Sequence, residues 1–441
     1  MPVSEESRVH IIGAGVAGLA AAVHLSQQGH RISLYEAAPR AGGRCRSYHD
    51  PQLDCVIDNG NHLMMSGNHA VMSYLESIDA ADRLIGPPHA DYPFIDVATN
   101  ERWSLRPSAG RMPWWIFNAH RRVPHTTPWD YLSALRILKS DAHETVADCV
   151  GTEGPLYRRF WEPLTVAALN TDPRQASAQL MQPVLTETFL RGSHACRPLI
   201  ARRSLADTLI EPAVQVLTAA GADIRYGTRI KALAYTNDLV CSLEMDGENV
   251  AVAPTDVVIL ATPPWIAETL IPGLNVPPPG EPIVNVHYRL ASAIGGDEVV
   301  RIVGVIGGTA HWVFARGDLA SVTISAAADL VDTSADDIAS ACWPDVAAAL
   351  NLEGDKAPSR VVKERRATFA QSPDALALRS KTATNCANLL LAGDWTATGV
   401  PATIEGAVRS GFQAATLASK CHGVVTSLSP TYSARKQIEA A

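Results

Sequence analysis

The feature that most constrains this chain is Gly13-Ala14-Gly15-Val16-Ala17-Gly18, set between an apolar run and an Ala-rich one. Arg8-Val9-His10-Ile11-Ile12 before it has the β-branched content of a short buried strand. The stretch after it, to Gln28, has helical composition and ends at Gly29, and Arg31-Ile32-Ser33-Leu34-Tyr35 forms a second strand finishing in Glu36. The result is a βαβ opening whose spacing carries chemistry. Gly13 permits a tight turn, Gly15 lets the backbone approach a pyrophosphate, and Gly18 lets the helix pack closely on the strand. The helix N-terminus offers free N–H groups and a positive dipole to phosphates. Glu36 sits where an acid can bind adenosine ribose hydroxyls and would repel a 2′-phosphate, which disfavours NADP. His10 and His24 occupy strand and helix positions. The same unit accounts for the signal-peptide look of Arg8 to Leu25 with its Ala20-x-Ala22.

Composition narrows the class further. At 441 residues the chain exceeds one ordinary domain of ~100–200. It leans apolar, with charged residues at 19%, yet no run approaches the ~18 uncharged apolar residues of a spanning helix. A net charge of −8 without a long basic run excludes a nucleic-acid footprint. The eight cysteines are scattered with no C-x-x-C and no clustered His, so they read as reduced buried thiols, with no metal site or disulfide framework. That fits the cytosol or the cytoplasmic face of a membrane.

Two further segments join the glycine loop. Pro39-Arg40-Ala41-Gly42-Gly43-Arg44 suits a backbone nest with a guanidinium closing over a second phosphate. Leu389-Leu390-Leu391-Ala392-Gly393-Asp394 is a strand ending in an acid, and it leads to Thr403-Ile404-Glu405-Gly406-Ala407 at the start of a helix. Together these resemble the amine oxidase, phytoene desaturase and protoporphyrinogen oxidase superfamily, in which the dinucleotide is FAD. That resemblance implies FAD held by Gly13, Gly15, Ala17, Gly18, Glu36, Gly43, Arg44, Gly60, Asn61, Ile230, Gly393, Asp394, Thr403 and Ile404. Ile230 would contact adenine through its backbone and Asp394 a ribityl hydroxyl, with the Thr403 helix aimed at the flavin pyrimidine edge. Asp58-Asn59-Gly60-Asn61-His62-Leu63 resembles the segment beside the isoalloxazine ring, and Ala261-Thr262-Pro263-Pro264 a strand end near the cofactor.

The expected fold class is α/β: a Rossmann-type FAD-binding domain (GR2-like flavoprotein) with an interleaved α+β substrate domain containing an antiparallel sheet. Residues 1–90, 204–281 and 385–425 would form the FAD-binding domain, 91–203 and 282–384 the substrate domain, and 426–441 a mobile tail without a motif. Val250 to Val252 is read as continuing the parallel sheet. Ile283–Leu290, Val299–Ile306, His311–Phe314 and Ala320–Ser325 read as an antiparallel meander, while Ala335–Leu350 and then Arg360–Phe369 have helical spacing.

Phe160-Trp161-Glu162-Pro163-Leu164 through Thr171, and the whole run Leu391 to Ala407, look like the hydroxysqualene dehydroxylases, squalene-associated FAD-dependent desaturases of bacterial hopanoid synthesis. The resemblance reaches to about Gly423. It implies a long apolar isoprenoid substrate, hydroxysqualene, whose allylic hydroxyl leaves as water while reduced flavin N5 delivers hydride. His62 and Glu405 are the candidate proton donors, alongside a water held by Asn61. The competing enzyme reading is a carotenoid-type desaturase or amine oxidase passing hydride from substrate to FAD. The non-enzyme reading is a prenyl-binding protein of the GDP-dissociation-inhibitor type. No second dinucleotide motif marks an electron donor. Arg106 to Pro124, with Arg111, Trp114, Trp115, Phe117, Arg121 and Arg122, reads equally as a peripheral membrane contact or as a core helix with exposed arginines.

Overall fold

A computed structural model describes residues 7–295 and 299–436. Five short strands make a parallel sheet in the order Asp223–Arg225, Arg31–Tyr35, Arg8–Ile12, Val257–Leu260, Leu389–Leu391. Its three central strands are almost wholly buried, as strands covered by helices on both faces require. The helix Val16–Gln27 lies against it, and the long helix starting at Ile404 crosses that helix closely. A Cβ on Gly411 would stand 2.4 Å from the Ala17 carbonyl oxygen, so glycine sets the spacing of the two helices.

A second sheet has seven strands, in the order Ser359–Glu364, Ile283–Arg289, Leu319–Ile324, Trp312–Arg316, Val300–Ile306, Tyr92–Asp96, Glu101–Leu105. Every neighbouring pair is antiparallel except Val300–Ile306 with Tyr92–Asp96. Helix Ala335–Leu350 covers one face through Ile338, Ala339, Cys342 and Val346. The other face carries Phe94, Trp312 and Phe314 into an aromatic cluster with Trp115, Tyr131, Phe160 and Trp161. The site lies between this cluster and the parallel sheet.

The structure departs from the sequence reading in five places. The strands between 283 and 324 are not a simple meander: Ile283–Arg289 pairs with Leu319–Ile324 and Ser359–Glu364, and not with the next strand in sequence, Val300–Ile306. Val250 belongs to Asn249–Ala251, the edge of a separate antiparallel sheet with Ala232–Thr236 and Leu239–Glu244. Residues 359–364 are a strand, not a helix: Val361 and Val362 suit extended backbone, and the free edge of Ile283–Arg289 pairs with them. The helix from Ile404 continues to Lys436, so residues 426–436 are helical backbone and not a loose tail, while 437–441 lie outside the described residues. Finally, the tryptophan segment is a short 3₁₀ turn, Trp114–Phe117, behind Pro113. With three residues per turn, positions 114 and 117 share one side, where their rings lie 6.0 Å apart, and Trp115 and Ile116 turn inward.

Candidate active site

One cavity of about 860 Å³ runs from the glycine loop to the antiparallel sheet. Every expected cofactor or proton-donor residue lines it except Gly18. Gly18 acts behind the wall: a Cβ there would fall 1.9 Å from the Gly13 carbonyl oxygen, so its absence lets helix and turn close.

The dinucleotide end is built from backbone. Gly15 is the N-cap of Val16–Gln27, no side chain caps it, and Leu19 N–H bonds Gly15 O at 2.9 Å to begin the helical ladder. The N–H groups of the first turn therefore have no partner within the helix and border the cavity. Space beside Gly15 is open, since a Cβ there would meet no atom within 4 Å. Gly42 N–H bonds Ala14 O at 2.8 Å, which folds the Gly42-Gly43 nest over this turn. Glu36 accepts from Ala14 N–H and Ala38 N–H, both at 2.8 Å, one on each carboxylate oxygen, and each oxygen keeps lone-pair capacity for a sugar hydroxyl. Ile230 is buried beside it. These features fit FAD: open N–H donors for the pyrophosphate, a carboxylate for ribose, and no Cβ where the backbone must approach.

Arg44 donates to Asp394 Oδ1 at 2.6 Å and to Ala367 O at 2.7 Å. Its side chain keeps 37% of its surface and lines the cavity. Burial works against its charge, and the Asp394 carboxylate outweighs burial and raises the guanidinium's pKa. Thr403 accepts from Gly406 N–H at 3.1 Å and so caps the last helix, whose start at Ile404 and Glu405 borders the cavity.

Asn61 is pinned from the substrate side. Its Nδ2 donates to Val322 O at 3.2 Å and to Thr323 Oγ1 at 3.1 Å, and Asn285 Oδ1 accepts from both its backbone N–H and its Nδ2 at 3.3 Å. Sequence reasoning misses Asn285 and Thr323 as site residues. The available signal is a lone Asn inside the apolar strand Ile283-Val284-Asn285-Val286. Asn170, in the left-handed conformation, is a second hub that it misses: it donates to Glu281 O at 2.6 Å and accepts from Ala326 N–H at 2.6 Å.

The two proton-donor candidates have different environments. His62 borders the cavity, and burial lowers its pKa to about 4 although Asp58 pulls the other way. It also borders a smaller cavity of about 20 Å³ walled by Asp58, Arg316 and Ser321, enough for one water. Glu405 accepts from Ala70 N–H at 3.1 Å, Val71 N–H at 2.9 Å and Arg409 Nε at 2.8 Å. It thereby caps the helix His69–Ser77 as a carboxylate, an acceptor in every contact.

His287 lies behind the Asn61 segment. Its Nε2 donates to Asp58 O at 3.0 Å, so Nδ1 accepts from Ser321 Oγ at 2.8 Å, and burial lowers its pKa to about 4. The unfolded chain binds this proton below about pH 6.5, the folded chain only near 4, so stability is complete above 6.5 and falls as pH drops between the two. The full loss is about 3 kcal/mol, with about 2 kcal/mol gone by pH 5. Urea midpoints at pH 7 and pH 5 should therefore lie closer together in His287→Gln than in the parent; an unchanged gap would refute the assignment.

The apolar end of the cavity is walled by Phe94, Leu105, Phe160, Leu164, Phe189, Trp312 and Phe314. Among the described residues no cluster of His, Cys, Asp and Glu could hold a metal ion, and no helix is long and apolar enough to cross a membrane.

Comparison with known proteins agrees with this arrangement. Residues 16–418 match the family model for flavin containing amine oxidoreductase. The chain is 46% identical over 410 residues to a hydroxysqualene dehydroxylase of Sinorhizobium fredii, covering 93% of this chain and 98% of the relative. It is 45% identical to that of Rhodopseudomonas palustris, with 93% and 97% covered. Cyclohexylamine oxidase from Brevibacterium oxydans shares the fold at a TM-score of 0.66 and 17% identity, with 94% of this chain and 99% of that one covered.

Proposed function

Since the chain belongs to the flavin-containing amine oxidoreductases and, among them, to the hydroxysqualene dehydroxylases, we propose that it is an FAD-dependent oxidoreductase that reduces hydroxysqualene to squalene with loss of water, in squalene and hopanoid biosynthesis. The carrying observation is that one cavity joins a dinucleotide cradle to a chamber walled by aromatic and aliphatic side chains. Reduced FAD would supply the hydride.

The chain's own residues do the rest. The first turn of Val16–Gln27, the Gly42-Gly43 nest and Arg44 bind the phosphates, and Glu36 the ribose. Asp394 and the Thr403-capped helix take the ribityl and pyrimidine portions. On the substrate side, loss of an allylic hydroxyl leaves a delocalised cation, to which Phe94, Phe160 and Phe314 can present ring faces in a chamber that a long hydrocarbon would fill to the exclusion of water. His62 delivers the proton that makes the hydroxyl a leaving group, and the small cavity behind it has room for the water that resupplies it. Residues 1–90, 204–281 and 385–425 serve the cofactor, and 91–203 with 282–384 serve the substrate. Peripheral contact with the inner face of the cell membrane is part of the same proposal, and the insolubility of a C30 substrate supports it.

The test is anaerobic incubation of dithionite-reduced holoprotein with hydroxysqualene. Squalene is the expected product; recovery of unchanged alcohol by protein with intact, reduced flavin would sink the reading. Oxidised protein that instead desaturates a phytoene-type substrate would select the reverse hydride direction.

A further inference from the structure

Eleven large apolar side chains are exposed among the described residues, and six of them fall between positions 112 and 135: Met112, Trp114, Phe117, Trp129, Leu132 and Leu135. Trp114 is 64% exposed and Trp129 72%. They sit on two short 3₁₀ turns and the helical turn that follows, Trp114–Phe117, Pro128–Ser133 and Ala134–Ile137, which form one unit. Trp115 packs edge-on against Tyr131 at 5.3 Å, and Tyr131 Oη accepts from Val123 N–H at 3.0 Å. Inward-facing residues thus fix the turns while the outward ones project. Such a concentration on a protein surface marks an interaction site and not random exposure.

The charge of this segment opposes that of the whole. Residues 106–139 carry six basic side chains, Arg106, Arg111, Arg121, Arg122, Arg136 and Lys139, against one acid, Asp130, in a chain of net −8. Arg106, at the edge of the segment, pairs with Asp91 at 3.1 Å, but the central cations are held by carbonyls: Arg121 bonds those of Arg106 and Pro107, Arg122 those of Thr126 and Ile116, and Arg136 that of Asp148. A second copy docking through the same face would bring these cations together. Tryptophan, phenylalanine, methionine and leucine ringed by arginine suit instead the boundary between acyl chains and anionic headgroups. Behind the face, Trp115, Ile116 and Tyr131 belong to the same buried cluster as Phe94, Phe160 and Phe314, which wall the apolar end of the cavity.

We propose that this face docks the protein on an anionic lipid bilayer, with Trp114, Phe117 and Trp129 inserted at the interface and the arginines on headgroup phosphates. The inference deepens the reading of hydroxysqualene as substrate by naming the surface from which that substrate arrives. The FAD-loaded full chain is floated with vesicles of phosphatidylcholine alone and of phosphatidylcholine with phosphatidylglycerol. Binding is expected on the anionic vesicles and at least about tenfold weaker on the neutral ones or in high salt. The triple variant Trp114→Ser/Phe117→Ser/Trp129→Ser should bind at least about tenfold less while keeping its flavin absorbance and its turnover of detergent-dispersed substrate. Absence of binding to either vesicle, or equal binding by parent and variant, overturns the proposal. So does a dimer that the triple variant converts to monomer without vesicle binding, which would make the face a protein interface. Vesicle binding without squalene formation would overturn the substrate reading and leave the surface intact, so the two failures are distinct.

Discussion

Gly15→Val should purify as a folded, colourless protein. Gly15 has φ −74° and ψ 176°, extended backbone open to any residue, and a Cβ there meets nothing within 4 Å. The added side chain would therefore not disturb the chain but would occupy the seat of the pyrophosphate beside the unpartnered N–H groups of the first turn. Displacing that group loses charge-assisted hydrogen bonds worth about 1.5–3 kcal/mol each, so FAD affinity should fall about 100-fold or more. Gly18→Ala, three residues on, should behave oppositely. Its Cβ would lie 1.9 Å from Gly13 O and 3.2 Å from Ala261 Cβ, and Gly13 at φ +107° is itself wedged against Ala261. A contact so short must move backbone, at a cost of about 4 kcal/mol or more, and the variant should melt far below the parent or fail to fold. Flavin absorbance and Tm of the two variants read the difference. A Gly15→Val protein that keeps stoichiometric FAD would show that this turn is a packing feature and not the cofactor's cradle.

The same contrast separates what a sequence discloses from what only a fold does. The proposed cradle is legible in the residues because its requirements are local: glycine spacing, a capping Thr403 and an acid at a strand end each act within a few residues. Position 18 belongs to the same motif but serves packing, and motif spacing alone does not separate that role from ligand approach. Glu405 is legible as a carboxylate near the flavin helix, yet its partners Ala70 and Val71 lie over 330 residues away, so its capping role depends on the assembled fold. Asn285 has the same character: its meaning comes from Asn61, 224 residues distant. The residues of Ser359–Glu364 become a strand only through pairing with Ile283–Arg289, because local spacing there fits either period. At Trp114–Phe117 neither a wholly exposed nor a wholly buried reading describes the segment, since Trp114 and Phe117 are exposed while Trp115 and Ile116 are buried. A 3₁₀ turn sends alternate parts of one aromatic run to opposite sides.

The other large effect is expected at His62. Protonating the hydroxyl is the step that hydride delivery cannot replace, since hydroxide leaves poorly from carbon even at an allylic position. General acid catalysis of this kind is worth about 10²–10⁴-fold, and His62→Ala should lose that much of the single-turnover rate of squalene formation. FAD content should stay close to the parent's, because in the proposed arrangement His62, which borders the small cavity with Phe314 and Ser321, is not among the phosphate donors. The pH dependence has a definite sign. With its pKa lowered to about 4 by burial, His62 is overwhelmingly neutral at pH 7, and its acidic form grows about tenfold per pH unit as pH falls. The single-turnover rate should thus climb between pH 7 and pH 5. Burial of His287 costs stability over the same range, so flavin absorbance and circular dichroism at each pH identify the folded holoprotein to which the rate is normalised. His62→Gln, which keeps a hydrogen-bond donor but carries no titrating proton, should be slow and flat across that range. Glu405→Gln gives the control. It retains most of the geometry around Ala70, Val71 and Arg409, and a loss of stability with the same rising pH profile would leave His62 as the acid. A flat profile in the parent, or full single-turnover rates in His62→Ala with flavin bound, would remove His62 from the chemistry. The proton would then come from water ordered by Asn61, whose backbone N–H and Nδ2 are held by Asn285, Val322 and Thr323.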